Sequence, residues 1–396
     1  MLNTPFSPWP SFSQEEISKV SEILLSSKVN YWTGDEGRRF EEEFAKFVGS
    51  SHAVAVSNGT VALDLALLAF DLKKGDEVIV TPRTFIASVS SIVNAGAVPV
   101  FADIDLESQN ITAATIKKVV TKKTKGIICV HLAGWPCDMD PIIDLARSTN
   151  LFVIEDCAQA HGALYKGKSV GTIGDVGCWS FCQDKIMSTG GEGGMITTNN
   201  KKIWSKIWSF KDHGKDWDAI FNKPHPPGFR WIHESFGTNW RMTEIQAAIG
   251  RLQLRKLPAW QKTRSRYARQ IWKAANESNI FFSPKLKCHN CLEDCERKDF
   301  CAHAAYKCYI FLRYDQIEKE EVIFKINELG VPCFSGICSE VYLEKAFKNS
   351  GLTPKFRLQN AKRLGETSLM FLCHPTLKQE EIDKTCDVIK NFHLNI

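Results

Sequence analysis

Along the first 200 residues the apolar positions switch repeatedly between two periods. In DEGRRFEEEFAKFV (35–48) an apolar residue returns every three or four positions among charges, which predicts an amphipathic helix. SHAVAV (51–56) alternates and reads as a strand; SNGT follows, then VALDLALLAF, apolar on most sides, predicts a buried helix. The same exchange continues with a strand at DEVIVTP (76–82), closed by proline, and a helical pattern over 84–95. Next come a strand at AVPVFADID (97–105), which ends on an Asp pair, a short helix over 113–120 and a buried strand at KGIICVHL (125–132). DMDPIIDLARSTN reads as a helix, LFVIED (151–156) as a strand closing on two carboxylates, and DVGCWSF (175–181) and GGMITTN (193–199) as further strands.

Strands alternating with helices predict an α/β fold with a largely parallel, doubly wound sheet covered on both faces. In such sheets ligands bind outside the carboxyl ends of the strands. SNGT, Asp156 and the loop carrying Lys185 all fall at or near such ends. From about residue 200 the pattern changes to long helices, WSKIWSF and EIQAAIGRLQLRKLPAWQKTRSRYARQIW. A smaller α+β unit follows, with strands near AYKCYIFLR and VPCFSG and a terminal helix at EEIDKTCDVIKNFH. The expected division is a large domain over 1–255, whose N-terminal segment packs on the small domain, and a small domain over 256–396.

Composition narrows the classes. The chain has 396 residues, 44% hydrophobic and 24% charged, with a net charge of +5 and no Lys/Arg stripe, so nucleic-acid binding is not expected. No basic region precedes an apolar core in MLNTPFSPWP, and no apolar run approaches the roughly 18 residues of a membrane span. A cytoplasmic protein is expected, and its 14 cysteines are then mostly reduced thiols.

Three stretches carry candidate chemistry. In SNGTVALDLAL a glycine follows a strand and opens a helix, whose first N–H groups lack internal partners and whose dipole is positive there. Gly59 and Thr60 are placed to cradle a phosphate; the plainer alternative is an N-cap at Ser57 or Asn58. In LFVIEDCAQAHG a buried strand ends in Asp156, a carboxylate that needs a cationic or N–H partner. A protonated pyridine nitrogen would serve, as would a salt bridge or a helix N-cap. In CWSFCQDKIMSTGGEGGM, Lys185 stands beside a run of glycines that lets a bulky ligand approach, and Ser180 could add a hydroxyl to a phosphate. A lysine amine forms imines with carbonyls, although most loop lysines are simply solvated. Taken together, a phosphate cradle, a carboxylate for a pyridine nitrogen and an imine-forming lysine on successive strands are the parts that hold pyridoxal phosphate.

The chain resembles the DegT/DnrJ/EryC1/StrS sugar aminotransferases, a branch of the fold-type I pyridoxal-phosphate enzymes. The matching stretches include SHAVAVSNGTVALDLAL, TPRTFIASVSSIVNAGAVPVFADID, VHLAGWPCDMD, VIEDCAQAHGALYKGKSVGTIGDVGCWSFCQDKIMSTGGEGGMITTN, FGTNWRMTEIQAAIGRLQL, PCFSG and LCHPTL. The resemblance implies a mostly parallel seven-stranded sheet flanked by helices, with a smaller C-terminal α+β domain. It implies that Lys185 is the Schiff-base lysine and general base, and that Asp156 partners the pyridine nitrogen. Gln159 would contact the phenolic oxygen side of the ring and Phe85 would stack on it. Gly59, Thr60 and Ser180 would hold the phosphate, with Asn239 reaching it from the neighbouring subunit of a homodimer with shared active sites. The implied reaction moves an amino group from L-glutamate to a nucleotide-linked keto-sugar, a 4-keto-6-deoxy or 3-keto sugar, for surface polysaccharide such as lipopolysaccharide or a related glycan.

Some relatives carry histidine in place of this lysine and remove a hydroxyl instead; Lys185 favours transamination over such a dehydratase. A non-catalytic pyridoxal-phosphate regulator is a further alternative. Cys288, Cys291, Cys295 and Cys301, spaced C-x2-C-x3-C-x5-C with His289 and His303 nearby, form a Cys-rich insertion over 288–301. Four thiolates at that density could bind a structural zinc; a loop of surface or partly buried thiols is the alternative. The aromatic-rich segment KDHGKDWDAIFNKPHPPGFRWIHESFG reads either as a flap over the nucleotide or as a solvated loop.

Overall fold

The computed structural model describes residues 6–224, 227–228, 230–285 and 301–393. The central sheet contains β1 (His52–Val56), β2 (Glu77–Val80), β3 (Val98–Phe101), β4 (Thr124–Val130) and β5 (Phe152–Asp156). A hairpin of β6 (Leu164–Tyr165) and β7 (Lys168–Ser169) intervenes before β8 (Val176–Ser180) and β9 (Gly194–Thr198) complete it. The seven strands lie in the order β1-β9-β8-β5-β4-β2-β3. From β8 to β3 all neighbours are parallel, and β9 is antiparallel to both β1 and β8.

Helices cover both faces, so the strands are buried almost throughout. In β1, Ala53 and Ala55 pack with Phe40, Phe44 and Trp179, while Val54 and Val56 join Leu63, Ile196 and Trp208. Burial on two sides explains why the parallel strands read as continuous apolar runs.

Two elements end earlier than the sequence pattern suggests. The strand expected over 97–105 stops at Phe101, and the helix expected over 113–120 at Lys117. The Asp pair has structural work in place of a site. Asp103 accepts the backbone N–H groups of Asn360 and Ala361, both at 3.1 Å, at the start of the helix Gln359–Thr367. Asp105 accepts the N–H of Ser108 at 2.8 Å within its own turn.

A second, antiparallel sheet has the order β10-β11-β13-β12: β10 (Phe281–Phe282), β11 (Cys308–Leu312), β12 (Cys333–Phe334) and β13 (Ser368–Phe371). The apolar runs near 308 and 333 indicated β11 and β12. The sequence pattern did not indicate β10 and β13. The helix Glu244–Glu277 spans both sheets, so residue 255 lies inside it. Its Ala247, Leu254 and Leu257 pack with Phe40 and Phe181, whereas Tyr267, Ile271 and Trp272 pack with Phe281, Ile310 and Phe371. The N-terminal segment packs on the last helix: Ser7 N–H donates to Glu381 at 2.6 Å.

Side chains alternate along a strand, so the two carboxylates that end β5 point to opposite faces. Glu155 is fully buried on the face away from the cavity. It bonds His131 Nε2 at 2.9 Å and accepts backbone N–H groups of Gly171 (2.8 Å), Ile173 (2.8 Å) and Gly174 (2.7 Å). Burial works to raise its pKa, and the His131 bond and the backbone donors outweigh burial, so the carboxyl sits below its ordinary value. A depressed carboxyl contributes stability above its unfolded pKa and loses it as pH falls through the folded value. Glu155→Gln should therefore destabilise the fold by about 2 kcal/mol at neutral pH. In denaturant titrations the difference should persist down to the ordinary glutamate value of 4.5 and shrink below it.

Candidate active site

The carboxyl ends of β1, β2, β5 and β8 surround a cavity of about 620 Å³. Seven of the eight cofactor-binding residues expected from the sequence line it: Gly59, Thr60, Phe85, Asp156, Gln159, Ser180 and Lys185. Asn239 does not; it is exposed, and its backbone bridges to Asp212.

One wall is the start of the helix Gly59–Leu68. Asn58 caps it, accepting the Val61 N–H at 2.9 Å, so the cap and the cradle are one structure. Gly59 and Thr60, whose N–H groups have no helical partner, are left facing the cavity. Glycine is required at 59 by a close approach: a Cβ there would lie 2.5 Å from the Ser180 Cβ. The helix start and the Ser180 hydroxyl thus converge on one spot, a fit for a phosphate.

The opposite wall holds Asp156, whose side chain is almost wholly buried. Its Oδ2 accepts from Ser88 Oγ at 2.7 Å, and Ser88 in turn bonds Thr84 Oγ1 at 2.9 Å. Its Oδ1 accepts the Ala158 N–H at 3.1 Å. Burial raises its pKa despite these bonds and despite the opposing charge of Lys185, since among the described residues no ion pair to it forms. Gln159 beside it is oriented by the Ala133 N–H, which donates to Oε1 at 2.8 Å. Phe85 is 63% exposed, presenting a bare aromatic face to the cavity.

Lys185 closes the third side. Its Nζ lies 3.4 Å from Tyr306 Oη and 3.4 Å from Asp184 Oδ1, and Tyr306 donates its hydroxyl to Asp184 Oδ2. Trp9 Nε1 donates to the Lys185 carbonyl at 2.8 Å, which fixes the loop from behind. Tyr306 reaches the site because the turn after β4 holds its segment: Ala133 O accepts the Tyr306 N–H at 3.0 Å and Gly134 O that of Ala304 at 2.9 Å. Ala133 and Gly134 take positive φ, +56° and +97°, to make this turn.

The sequence reading missed Ser88, Thr84, Asp184, Tyr306 and Trp9. Ser88, Thr84 and Asp184 lie inside motifs already singled out. Tyr306 is 121 residues from Lys185 and Trp9 is 176, so no local pattern could join them.

Of the zinc candidates, Cys288, Cys291, Cys295 and His289 lie outside the described residues. The sulfur of Cys301 accepts the Lys166 N–H at 3.5 Å. His303 is half-buried against Trp135 and Trp272, and its Nδ1 accepts the Ala305 N–H at 2.7 Å. Among the described residues His131, Glu155 and Cys157 converge, but both His131 nitrogens are engaged, with Glu155 and with the Cys137 N–H at 3.0 Å.

A family model described as the DegT/DnrJ/EryC1/StrS aminotransferase family matches residues 10–390. The chain belongs to this family. Over 97% of its length it is similar to the X-ray structure of an aminotransferase from Psychrobacter cryohalolentis, with 58% identity, 98% of that chain covered and a TM-score of 0.92. It is 47% identical over 249 residues to a GDP-perosamine synthase of Escherichia coli O157:H7, a match spanning 62% of this chain and 64% of the synthase. It is 38% identical over 267 residues to a UDP-N-acetyl-3-dehydro-alpha-D-glucosamine 3-aminotransferase of Acidithiobacillus ferrooxidans, 67% of this chain and 68% of that one. The expected fold-type I architecture is the one observed, and pyridoxal 5'-phosphate is the cofactor that this family's site takes.

The raised pKa of Asp156 gives a test with a definite sign. A carboxyl whose folded value is raised stabilises the cofactor-free fold below its unfolded pKa of 3.8, and that contribution is lost as pH rises through the folded value. Asp156→Asn keeps the side-chain shape and removes the buried charge. Without cofactor the variant should melt above wild type at neutral pH, with the gap closing on acidification. With pyridoxal phosphate added, wild type should gain stability and the variant should gain far less.

Proposed function

We propose that the chain is a pyridoxal-phosphate-dependent transaminase that moves an amino group from L-glutamate to a nucleotide-linked keto-sugar. The observation that carries this reading is a lysine and a dry, cation-poor carboxylate facing one cavity whose third side is an open helix start. Pyridoxal phosphate, when bound, supplies an electron sink for a carbanion. Asp156 holds a proton on the ring nitrogen beside it and so keeps that sink effective. Gly59, Thr60 and Ser180 hold the phosphate, Phe85 covers a ring face and Gln159 contacts the ring oxygen. Lys185 takes a proton from the substrate carbon in one half-reaction and returns one in the other.

The same reading makes the enzyme a homodimer with shared sites. Asn239 is exposed in its own chain and outside the lining of its own cavity, which supports its reaching the phosphate of the partner subunit. The named relatives act on sugars carried by different nucleotides, which supports a nucleotide-linked 4-keto-6-deoxy or 3-keto acceptor and a role in surface polysaccharide formation. Ten of the eleven described cysteines are free thiols, which supports a reducing, cytoplasmic setting. Among the described residues no helix is long and apolar enough to cross a membrane.

Loaded with pyridoxal phosphate, the purified chain should show a visible absorption band that L-glutamate bleaches and a suitable keto-sugar restores. A screen of GDP-, UDP- and dTDP-linked 4-keto and 3-keto sugars should identify the acceptor by that recovery. Lys185→Ala should lose the borohydride-reducible adduct and at least about 10³-fold in single-turnover rate. A band that glutamate leaves unchanged would turn the assignment towards a dehydratase or a regulator.

A further inference from the structure

Two buried hydroxyls stand in line against Asp156. Thr84 lies in the loop after β2, and Ser88 in the first turn of the helix Ala87–Asn94. Each is 1% exposed, and both border the cavity. A helical serine ordinarily turns its hydroxyl back onto a nearby carbonyl of its own helix. Ser90 does so, donating to Ala87 O at 3.4 Å. Ser88 instead donates to Asp156 Oδ2 at 2.7 Å, across 68 residues of sequence.

A serine hydroxyl has one proton to give. Ser88 commits it to the carboxylate, so its oxygen accepts from Thr84 Oγ1, 2.9 Å away, and Thr84 is the donor of that bond. The chain therefore runs one way, from Thr84 to Ser88 to Asp156. A proton added at Oδ2 would oblige both bonds to turn round, so this direction favours the ionised carboxylate. Bonds in such a row polarise one another, and the one that ends on a charge is the stronger kind. The Ala158 N–H holds the other oxygen at 3.1 Å. Both oxygens are thus fixed, and each keeps a lone pair for a further donor.

We propose that Ser88 and Thr84 are positioning residues for the reaction: their directed pair of hydroxyls keeps Asp156 ionised and its carboxylate facing the cavity. The part given to Asp156 rests on the aminotransferase reading above. Burial is the largest influence on this carboxyl and pushes it up. The Ser88 bond is the largest of the opposing influences, ahead of the Ala158 N–H, Lys185 and His131.

The other charged and titratable groups near Asp156 keep their own partners when these hydroxyls are altered. Lys185 faces it from the cavity and lies 3.4 Å from Asp184. His131, just past β4, bonds Glu155 at 2.9 Å, and Glu155 points to the other face of the sheet. The thiols of Cys157 and Cys178 are raised by burial and stay protonated. Arg83, beside Thr84 in sequence, turns to Gln109 and Ser368 at 3.1 and 3.0 Å.

The test begins with the cofactor-free chain, whose unfolding free energy is measured in denaturant from about pH 4 to pH 8. A carboxyl raised further gives up its stabilising contribution over a longer range above the unfolded value of 3.8. The deficit of Ser88→Ala should therefore be smallest in acid and widen as pH rises, with the Asp156 titration moved up by about half a pH unit or more. In an Asp156→Asn background, Ser88→Ala should cost the same at every pH. Thr84→Val should shift the titration the same way by less, and Thr84→Ser should stay near wild type. In the loaded enzyme, Ser88→Ala should weaken pyridoxal-phosphate binding and slow the single turnover with glutamate by about threefold or more each. Added to Asp156→Asn, it should weaken neither further. A deficit that is flat with pH, or one that keeps its pH dependence in the Asp156→Asn background, would overturn the proposal. If wild type turns over no glutamate, the aminotransferase reading fails, and the cofactor-free titration still decides whether the hydroxyls hold Asp156. Should Ser88→Ala not fold, the two Thr84 variants decide: an upward shift in Thr84→Val with none in Thr84→Ser supports the proposal, and any other pair sinks it.

Discussion

A carboxylate buried without a full-strength cation is the constraint on which this molecule turns. Asp156 accepts two hydrogen bonds, from Ser88 and Ala158, and still has a raised pKa because it has been taken out of water. Leaving such a group unpaired is costly. The fold tolerates the cost because β5 is clamped between β4 and β8 and its other carboxylate is fully satisfied. A positive group placed against it would offset that cost, and its binding would stabilise the fold.

The contrast within the dipeptide Glu155–Asp156 shows how little chemistry distinguishes an acid that braces the fold from one that faces the cavity. The two side chains are adjacent, equally buried and carried by the same strand. The pleat sends one towards the Gly171–Gly174 loop, where three backbone donors and His131 hold it ionised. It sends the other into the cavity, where the donors are fewer. Environment alone pushes the two pKa values in opposite directions.

The second sheet completes the site through a single turn. The positive-φ pair Ala133 and Gly134 exposes two carbonyls that take the N–H groups of Tyr306 and Ala304. The same turn offers the Ala133 N–H to Gln159. One irregular stretch thereby positions Gln159 on one side of the cavity and the hydroxyl beside Lys185 on the other. Trp9, edge-on to Trp260 and stacked on His374, braces the lysine loop from a third direction.

Much of this was legible in the chain because it is local. The strand–helix alternation, the N-terminal helix start at Asn58 to Thr60 and the acid that ends β5 are consequences of residues within a few positions of one another. So is the lysine in its glycine-rich loop. The sequence by itself determined the sheet class, the order of the chemical groups along it and seven of the residues that line the cavity. It could not separate the use of Glu155 from that of Asp103 or Asp156, because each is an acid at a strand end and only the pairing of N–H donors tells them apart. Nor could it bring Tyr306 to Asp184, or Trp9 to Lys185. Those meetings join segments more than a hundred residues apart, and they depend on how the second sheet docks on the first. That docking is a matter of shape and backbone hydrogen bonding across the turn at Ala133, which no local periodicity encodes.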